Sequence, residues 1–313
     1  MADPAAAAAW WQPGSLLIAA TPLGNPGDAS ARLTAALSAA DLILAEDTRR
    51  LRRLMRDLGL APPDRVLSCF DGNERSRCEP VLAALRLGER VVLVSDAGTP
   101  LVSDPGTAVI AAVLAEGLPI HALPGPSAVL IALVLSGCPT DRFTFEGFLP
   151  RTPAARDRRL ARISAAEETH IVFESPRRVA ATLTALVAAC GADRPAALVR
   201  EATKRHEEVR RGTLGSLAEH ARTVPILGEC VLVVGRRTMD RPQPAGGAAG
   251  DATSGQPAPD PDLMRAAASV ATLVAAGADR RTAAREVATL TGQARSAVYN
   301  ASLRDGPGSG PPG

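Results

Sequence analysis

The chain has 313 residues, of which 46% are hydrophobic and 22% charged, with a formal net charge of +2. That length buries a substantial core and exceeds what one compact domain usually holds, so two domains are expected. Charge this close to neutrality excludes a polycationic coat, and any contact with nucleic acid must rest on local patches.

Residues 1–14, rich in alanine, lack the basic and apolar regions of a signal peptide and read as a disordered tail. From Ser15 onward, short apolar runs alternate with helical patterns: SLLIAA (15–20), DLILA (41–45), RVLSC (65–69), RVVLVS (90–95) and LPIHAL (118–123). This rhythm predicts an α/β fold with a mostly parallel first sheet. In such sheets ligands sit beyond the carboxyl ends of the strands, so the residues after each run carry the information.

After the first run comes TPLGNPGD (21–28), where Gly24 and Gly27 allow a tight turn and close backbone approach. After the fourth comes SDAGTPLVSDPG (95–106), and after the fifth LPGPSAV, with Ser127 placed to cap the next helix. None of these is GxGxxG or GxxxxGKS, which argues against a dinucleotide fold and a P-loop. Small residues, backbone amides and acceptor oxygens suit a different nucleoside ligand.

GFLPRTP (147–153) interrupts the pattern, so the boundary is expected between a first domain at 15–147 and a second at 148–237. THIVFE, PAALVRE, a short HEEVRRG and ECVLVVG are its strands, with helices at 176–190 and 213–223, and a mixed sheet follows. Residues 238–261 read as a flexible linker. Residues 262–304 form two or three amphipathic helices with stops at Gly277 and Gly292, and 305–313 a disordered tail. No run reaches the ~18 apolar residues of a membrane span, so no membrane contact is expected. Cys69, Cys78, Cys138, Cys190 and Cys230 form no CxxC pair and read as free thiols of a reducing, cytoplasmic location.

Together with AEDTRR (45–50), FESPRR (173–178) and REATKRHEE (200–208), these loops resemble the tetrapyrrole-methylase-like superfamily, in particular its subgroup acting on small-subunit ribosomal RNA. The resemblance covers residues 15–237 and, more loosely, the helices ending in SAVYNASL. It implies two α/β domains of the tetrapyrrole methylase type plus a small helical C-terminal appendage. S-adenosylmethionine is the implied cofactor, in the cleft between the domains. The residues expected to bind it are Pro22, Gly24, Ser95, Asp96, Ala97, Gly98, Pro100, Ser103, Asp104, Pro124, Gly125 and Ser127. The implied reaction is 2′-O-methylation of a decoding-region cytidine in 16S rRNA of the small ribosomal subunit, by a homodimer. A corrin or porphyrin precursor methyltransferase of the same fold, and a catalytically silent ribosome assembly factor, are the competing readings.

Methyl transfer from a sulfonium is an in-line displacement that relies on alignment, and no metal is expected. A ribose hydroxyl is a poor nucleophile, so a proton acceptor should help. The candidates are carboxylates at strand ends: Glu46, Asp47, Glu174 and Glu201, with Asp96 beside them. Asp47 equally suits a helix cap together with Thr48, and Glu174 and Glu201 equally suit structural ion pairs. One loop departs from the subgroup, whose members carry an HxHNE-like pattern where this chain reads SCFDGNE (68–74). Phe70 and Gly72 replace the histidines, so either the base lies elsewhere or those histidines are dispensable. Of the histidines present, only His206 falls in a site motif. For RNA, Arg49, Arg52, Arg53 and Arg56 share one helical face, and Arg177, Arg178, Lys204 and Arg205 sit in loops expected to face the cleft. Aromatic residues are 3% of the chain, so shape and phosphate contacts are expected to dominate recognition.

Overall fold

The structure, a computed structural model, describes residues 10–237 and 261–304. The expected tail at 305–313, residues 1–9 of the N-terminal tail, and the expected linker apart from Pro261 lie outside the described residues.

The first sheet contains β1 (Leu16–Ala19), β2 (Leu42–Ala45), β3 (Val66–Ser68), β4 (Val91–Val94) and β5 (Ile120–Leu123) in the order β3-β2-β4-β1-β5. Every pairing is parallel. β2 and β4 are buried along their whole length, so both faces need cover. On one face, α1 (Ala31–Ala39) and α2 (Thr48–Asp57) set Leu33, Leu37, Leu51 and Met55 against Leu17, Ile43, Val92 and Val94. On the other, α3 (Glu74–Arg86) and α4 (Thr107–Ala115) set Val81, Leu85, Val109 and Val113 against Leu16, Leu42, Leu44 and Leu93. The neighbours β1 and β4 therefore send the chain to opposite faces. That reversal opens a crevice at their carboxyl ends, where ligands of open sheets bind.

The N-terminal tail expected through residue 14 is partly ordered. Trp11 is fully buried in the first core, Arg90 Nε donates to its carbonyl at 3.2 Å, and Gly14 N–H donates to Glu89 O at 3.1 Å. Burial of a large indole holds the segment to the sheet, a signal masked in the sequence by the alanine run before it.

The second sheet contains β6 (Phe143–Phe148), β7 (Thr169–Glu174), β8 (Pro195–Arg200), β9 (Glu208–Thr213) and β10 (Cys230–Val234) in the order β6-β7-β10-β8-β9. β6 runs parallel to β7 and the other pairs are antiparallel, the expected mixed sheet. β6 was absent from the expected strands, and it moves the change of sheet to before Phe143 rather than to 147/148. Its alternation is hidden by a register shift between Phe145 and Gly147 and by a buried Glu146. α5 (Ala128–Ser136) follows β5 but packs on this second sheet, with Val129, Ala132 and Leu133 against Ile171, Ala197, Val199, Val231 and Val233. α6 (Pro153–Ala165), α7 (Val179–Cys190) and α8 (Leu214–Thr223) cover its other face through Leu160, Ile163, Leu183, Leu186, Leu214 and Leu217.

Both sheets belong to one compact unit, and the C-terminal helices to another. In the latter, α9 (Pro261–Ala275), α10 (Arg280–Thr291) and α11 (Arg295–Arg304) share a small core of Ala266, Val270, Ala284, Val287 and Val298. Gly277 and Gly292 follow the first two helices at positive φ, as expected of stops. No helix among the described residues is long and apolar enough to cross a membrane.

The buried Glu146 has a consequence for pH. It accepts from His170 Nδ1 at 3.0 Å and from Arg159 Nη1 at 2.5 Å, while His170 Nε2 is buried without a partner. Burial holds His170 below its ordinary imidazole value despite the pull of Glu146. The folded state therefore binds the proton less well than the unfolded chain, so this contribution to stability is present above the unfolded value near 6.5 and lost as pH falls through it. Urea unfolding of the full chain should show stability declining by at most about 1.4 kcal/mol per pH unit below that point. His170→Asn should flatten that part of the profile, and an unchanged slope would assign it to another group.

Candidate active site

The site begins where β2 ends. Asp47, not Thr48, is the N-cap of α2: its carboxylate accepts from Arg49 N–H at 2.8 Å and pairs with Arg49 Nη2 at 2.8 Å. The Arg49 side chain, at hydrogen-bonding distance, lowers the Asp47 carboxyl to about 2. A carboxylate that acidic is a weak proton acceptor, and Asp47 stands outside the cleft wall.

The β1 and β4 loops are stitched together. Thr21 N–H donates to Gly98 O at 2.9 Å and Gly98 N–H donates back to Thr21 O at 3.0 Å. Thr21 Oγ1 reaches Ser95 O at 3.2 Å, and Ser95 Oγ reaches Gly98 O at 3.2 Å. The β5 loop joins them through Thr99 Oγ1, which donates to Pro126 O at 3.1 Å. Gly98 holds φ +83°, a conformation that favours glycine. Ser127 stands at the N-cap of α5 but its side chain makes no capping bond; only its carbonyl starts the helix, accepting from Ile131 N–H at 3.0 Å.

Asp96 ties this assembly to β2. Its Oδ1 accepts from Asp47 N–H at 2.9 Å and its Oδ2 lies 3.3 Å from Arg50 Nε, while its own N–H lies beside the Glu46 carboxylate. Burial and then Asp96 raise Glu46 above the usual carboxylate range. Burial and then Glu46 push Asp104 up to about 7. These groups face a cleft of about 440 Å³ between the two sheets, within the range of small-molecule sites.

Of the expected residues, Glu46, Asp96, Ala97, Ser103, Asp104 and Glu174 come together on the cleft wall. Pro22, Gly24, Ser95, Gly98, Pro100, Pro124, Gly125 and Ser127 stand off that wall and shape the loops that carry it. Glu174 is wholly buried, accepting from Ser175 N–H at 2.8 Å and Thr182 Oγ1 at 2.7 Å, with Arg178 Nη2 at 3.4 Å. Arg178 also donates to Leu149 O at 3.1 Å, so it braces the second sheet. Glu201, outside the cleft wall, accepts from Glu229 N–H at 2.9 Å and Lys204 Nζ at 3.0 Å. Those two contacts hold its carboxyl below the usual range, the backbone N–H first.

Lys204 also reaches Glu229 Oε2 at 3.1 Å and lays its stem over the β1 loop. A Cβ on Gly24 would stand 2.3 Å from Lys204 Cγ, so glycine there admits this clasp between the two sheets. Arg49 and Arg53 are 87% and 77% exposed, and Arg177, Arg205 and His206 are also exposed. The expected arginine stripe on α2 is thus its solvent face, with Leu51 and Met55 opposite.

Arg50, Phe148, Phe173 and Glu229 line the cleft without having been expected there. Arg50 lies one residue off the stripe of Arg49, Arg52, Arg53 and Arg56, so helical spacing does not single it out. The phenylalanines were visible in GFLP and FESP, and the low aromatic content concealed that they converge: Phe173 meets Phe148 at 5.8 Å and Phe145 at 4.8 Å, both edge to face.

Comparison with known proteins agrees with this geometry. The tetrapyrrole (corrin/porphyrin) methylase family matches residues 15–218. A ribosomal RNA small subunit methyltransferase I of Mycobacterium tuberculosis is 51% identical over 221 residues, covering 71% of this chain and 77% of that protein. Its counterpart from Mesorhizobium japonicum is 40% identical over 300 residues, 95% and 94% of the two chains. Uroporphyrin-III C-methyltransferase from Thermus thermophilus, in complex with S-adenosylhomocysteine, is similar in fold alone, with a TM-score of 0.51 at 22% identity over 71% of this chain and 96% of that one. Sheet order, crevice and sequence similarity lead to one conclusion: the chain belongs to the tetrapyrrole (corrin/porphyrin) methylase family and, within it, to the ribosomal RNA small subunit methyltransferase I group.

Proposed function

We propose that this protein methylates 16S rRNA in the small ribosomal subunit, with S-adenosylmethionine as methyl donor and the 2′-oxygen of a decoding-region cytidine as acceptor, in the cytoplasm. The observation that carries this reading is the cleft at the carboxyl ends of β1 and β4, where Glu46 and Asp104 form no ion pair among the described residues. Uncompensated carboxylates beside apolar Leu23, Ala97 and Ala128 fit a ligand that joins a cation to an adenosine. When bound, S-adenosylmethionine supplies an electrophilic methyl group on a positively charged sulfur. Glu46, Asp96 and Asp104 would face its charged part, and Leu23, Ala97 and Ala128 its apolar part.

The chain's own work is to align the acceptor and keep water out, to which Phe148 and Phe173 on the opposite wall are suited. Exposed guanidiniums at Arg49, Arg53, Arg177 and Arg205, in or next to the segments that build the site, suit rRNA phosphates. A homodimer is part of the proposal. Leu130 and Val134 on α5, 52% and 75% exposed, offer an apolar face of the kind a second copy covers.

The test supplies S-adenosylmethionine carrying a labelled methyl group to the protein with small subunits from a deletion strain, or with a tetrapyrrole acid. Label should enter 16S rRNA and digest to 2′-O-methylcytidine at one position. Methylation of the tetrapyrrole alone would overturn the reading, as would full ribose methylation of rRNA in the deletion strain.

A further inference from the structure

We propose that Asp104 is the group that takes the proton from the acceptor hydroxyl, and that the positive charge of the bound methyl donor is what frees its carboxylate for that task. This rests on the functional reading above and extends it to a residue expected only to bind the cofactor.

Elimination by geometry leads here. Asp47 is bound to Arg49 and caps α2, and Glu201 is held by Lys204 and Glu229 N–H off the cleft wall. Glu174 lines the cleft but both of its oxygens are taken. Asp96 spends its two oxygens on Asp47 N–H and Arg50. The loop that lacks the histidine pair puts no residue on the cleft wall: Asp71 there is exposed and off that wall, and Phe70 lies against Gly72, whose Cβ would stand 2.8 Å from the ring. Asn73 and Glu74 there are braces, Asn73 accepting from Phe70 N–H at 2.8 Å and Glu74 from Ala108 N–H at the start of α4.

Glu46 and Asp104 remain. The Asp96 N–H lies beside the Glu46 carboxylate and favours its charged form, whereas Asp104 has the Ser95 hydroxyl beside it, and neither carboxylate takes an ion pair among the described residues. Asp104 follows Leu101 and Ser103, both non-glycine residues at positive φ (+73° and +70°), and that turn carries it into the cleft wall.

The charges facing Asp104 come from several elements: Glu46 at the end of β2, Asp71 after β3, and Asp96 on its own loop, with Arg50 of α2 on Asp96. Across the cleft stand Glu229 and the sealed Glu174. Several carboxylates in one half-buried site cannot all ionise cheaply, so the Glu46–Asp104 pair retains a proton. Asp104 sits at about 7, so that proton is poised to leave. A cation entering the cleft favours the charged form and expels it.

The step balances. The acceptor O–H bond breaks with its proton passing to the Asp104 carboxylate. The O–CH3 bond forms while the S–CH3 bond breaks, and the bonding pair stays on sulfur, which becomes a neutral thioether. Loss of that positive charge raises the proton affinity of Asp104 as the proton arrives, and the pair returns to its starting state.

Titration calorimetry on the full chain tests this, with S-adenosylmethionine and S-adenosylhomocysteine in buffers of different ionisation enthalpy at pH 7. The charged ligand should release about half a proton per site more than the neutral one. Its affinity advantage should grow about tenfold between pH 6 and pH 8. Both effects should vanish in Asp104→Asn, which should bind the donor at pH 7 at least about tenfold more weakly yet measurably, and at saturating donor should methylate small subunits about 100-fold more slowly. Equal proton release by the two ligands, or an affinity ratio flat with pH, overturns the proposal in the unmutated protein, whether or not the variant folds. Full methylation by a folded Asp104→Asn overturns it as well. Absence of any S-adenosylmethionine binding would instead overturn the functional reading itself.

Discussion

Gly98→Arg should abolish binding of S-adenosylmethionine while leaving the chain folded. Gly98 holds φ +83° because its N–H and C=O both pair with Thr21, clamping the β1 loop to the β4 loop. A Cβ there would lie 3.0 Å from Leu23 Cδ2, and Leu23 is part of the cleft wall. The backbone cost of a side chain in this conformation is about 1–2 kcal/mol, less than the stability of a domain of this size. The larger effect is steric: a long side chain leaving Gly98 displaces Leu23 and carries a guanidinium toward the acidic wall the ligand's cation would face. Affinity should fall at least about 100-fold by calorimetry, a loss of about 3 kcal/mol, with the circular dichroism spectrum unchanged. Unaltered affinity in a folded variant would place the ligand elsewhere.

Glu174→Ala carries the largest expected loss of stability. The side chain is wholly buried, and its oxygens accept from Ser175 N–H and Thr182 Oγ1 with Arg178 alongside. Its removal leaves a buried hydroxyl, a backbone N–H and a half-buried guanidinium without their acceptor, which costs about 3–5 kcal/mol. The melting temperature should drop by roughly 10 °C. A double-mutant cycle separates this brace from a catalytic role: Thr182→Val should destabilise the native background and be nearly silent beside Glu174→Ala. A loss under about 1 kcal/mol together with a collapse in methylation would return Glu174 to the candidate proton acceptors.

Much of the fold could be read from the sequence because strands buried on both faces are continuous apolar runs, and each ends in a turn that must contain glycine, proline or a capping residue. β1 to β5, β7, β8 and β10 announce themselves this way. β6 did not, because a register shift and a buried glutamate spoil its alternation, and Trp11 was lost behind a run of alanines. The wall of the cleft was partly legible for a related reason. A chain that turns sharply after β4 must use loop residues that also line the crevice, so the loop 95–106 could be singled out by position, and the family resemblance picked out Asp96, Ala97, Ser103 and Asp104 within it.

By itself, then, the sequence determined the order of the elements apart from β6, the family, and which loops meet at the carboxyl edge of the first sheet, all of which are properties of local pattern. Only the tertiary structure decided which groups hold each acid at that edge. Whether a carboxylate is a brace or a base depends on how many donors reach its oxygens, and the decisive donors are distant in the chain. Asp47 N–H reaches Asp96 across 49 positions and Glu229 N–H reaches Glu201 across 28. Asp104, whose motif suggested only ligand binding, was left with an uncommitted carboxylate because no ion pair or backbone donor reaches it among the described residues, while Glu46 stands close by.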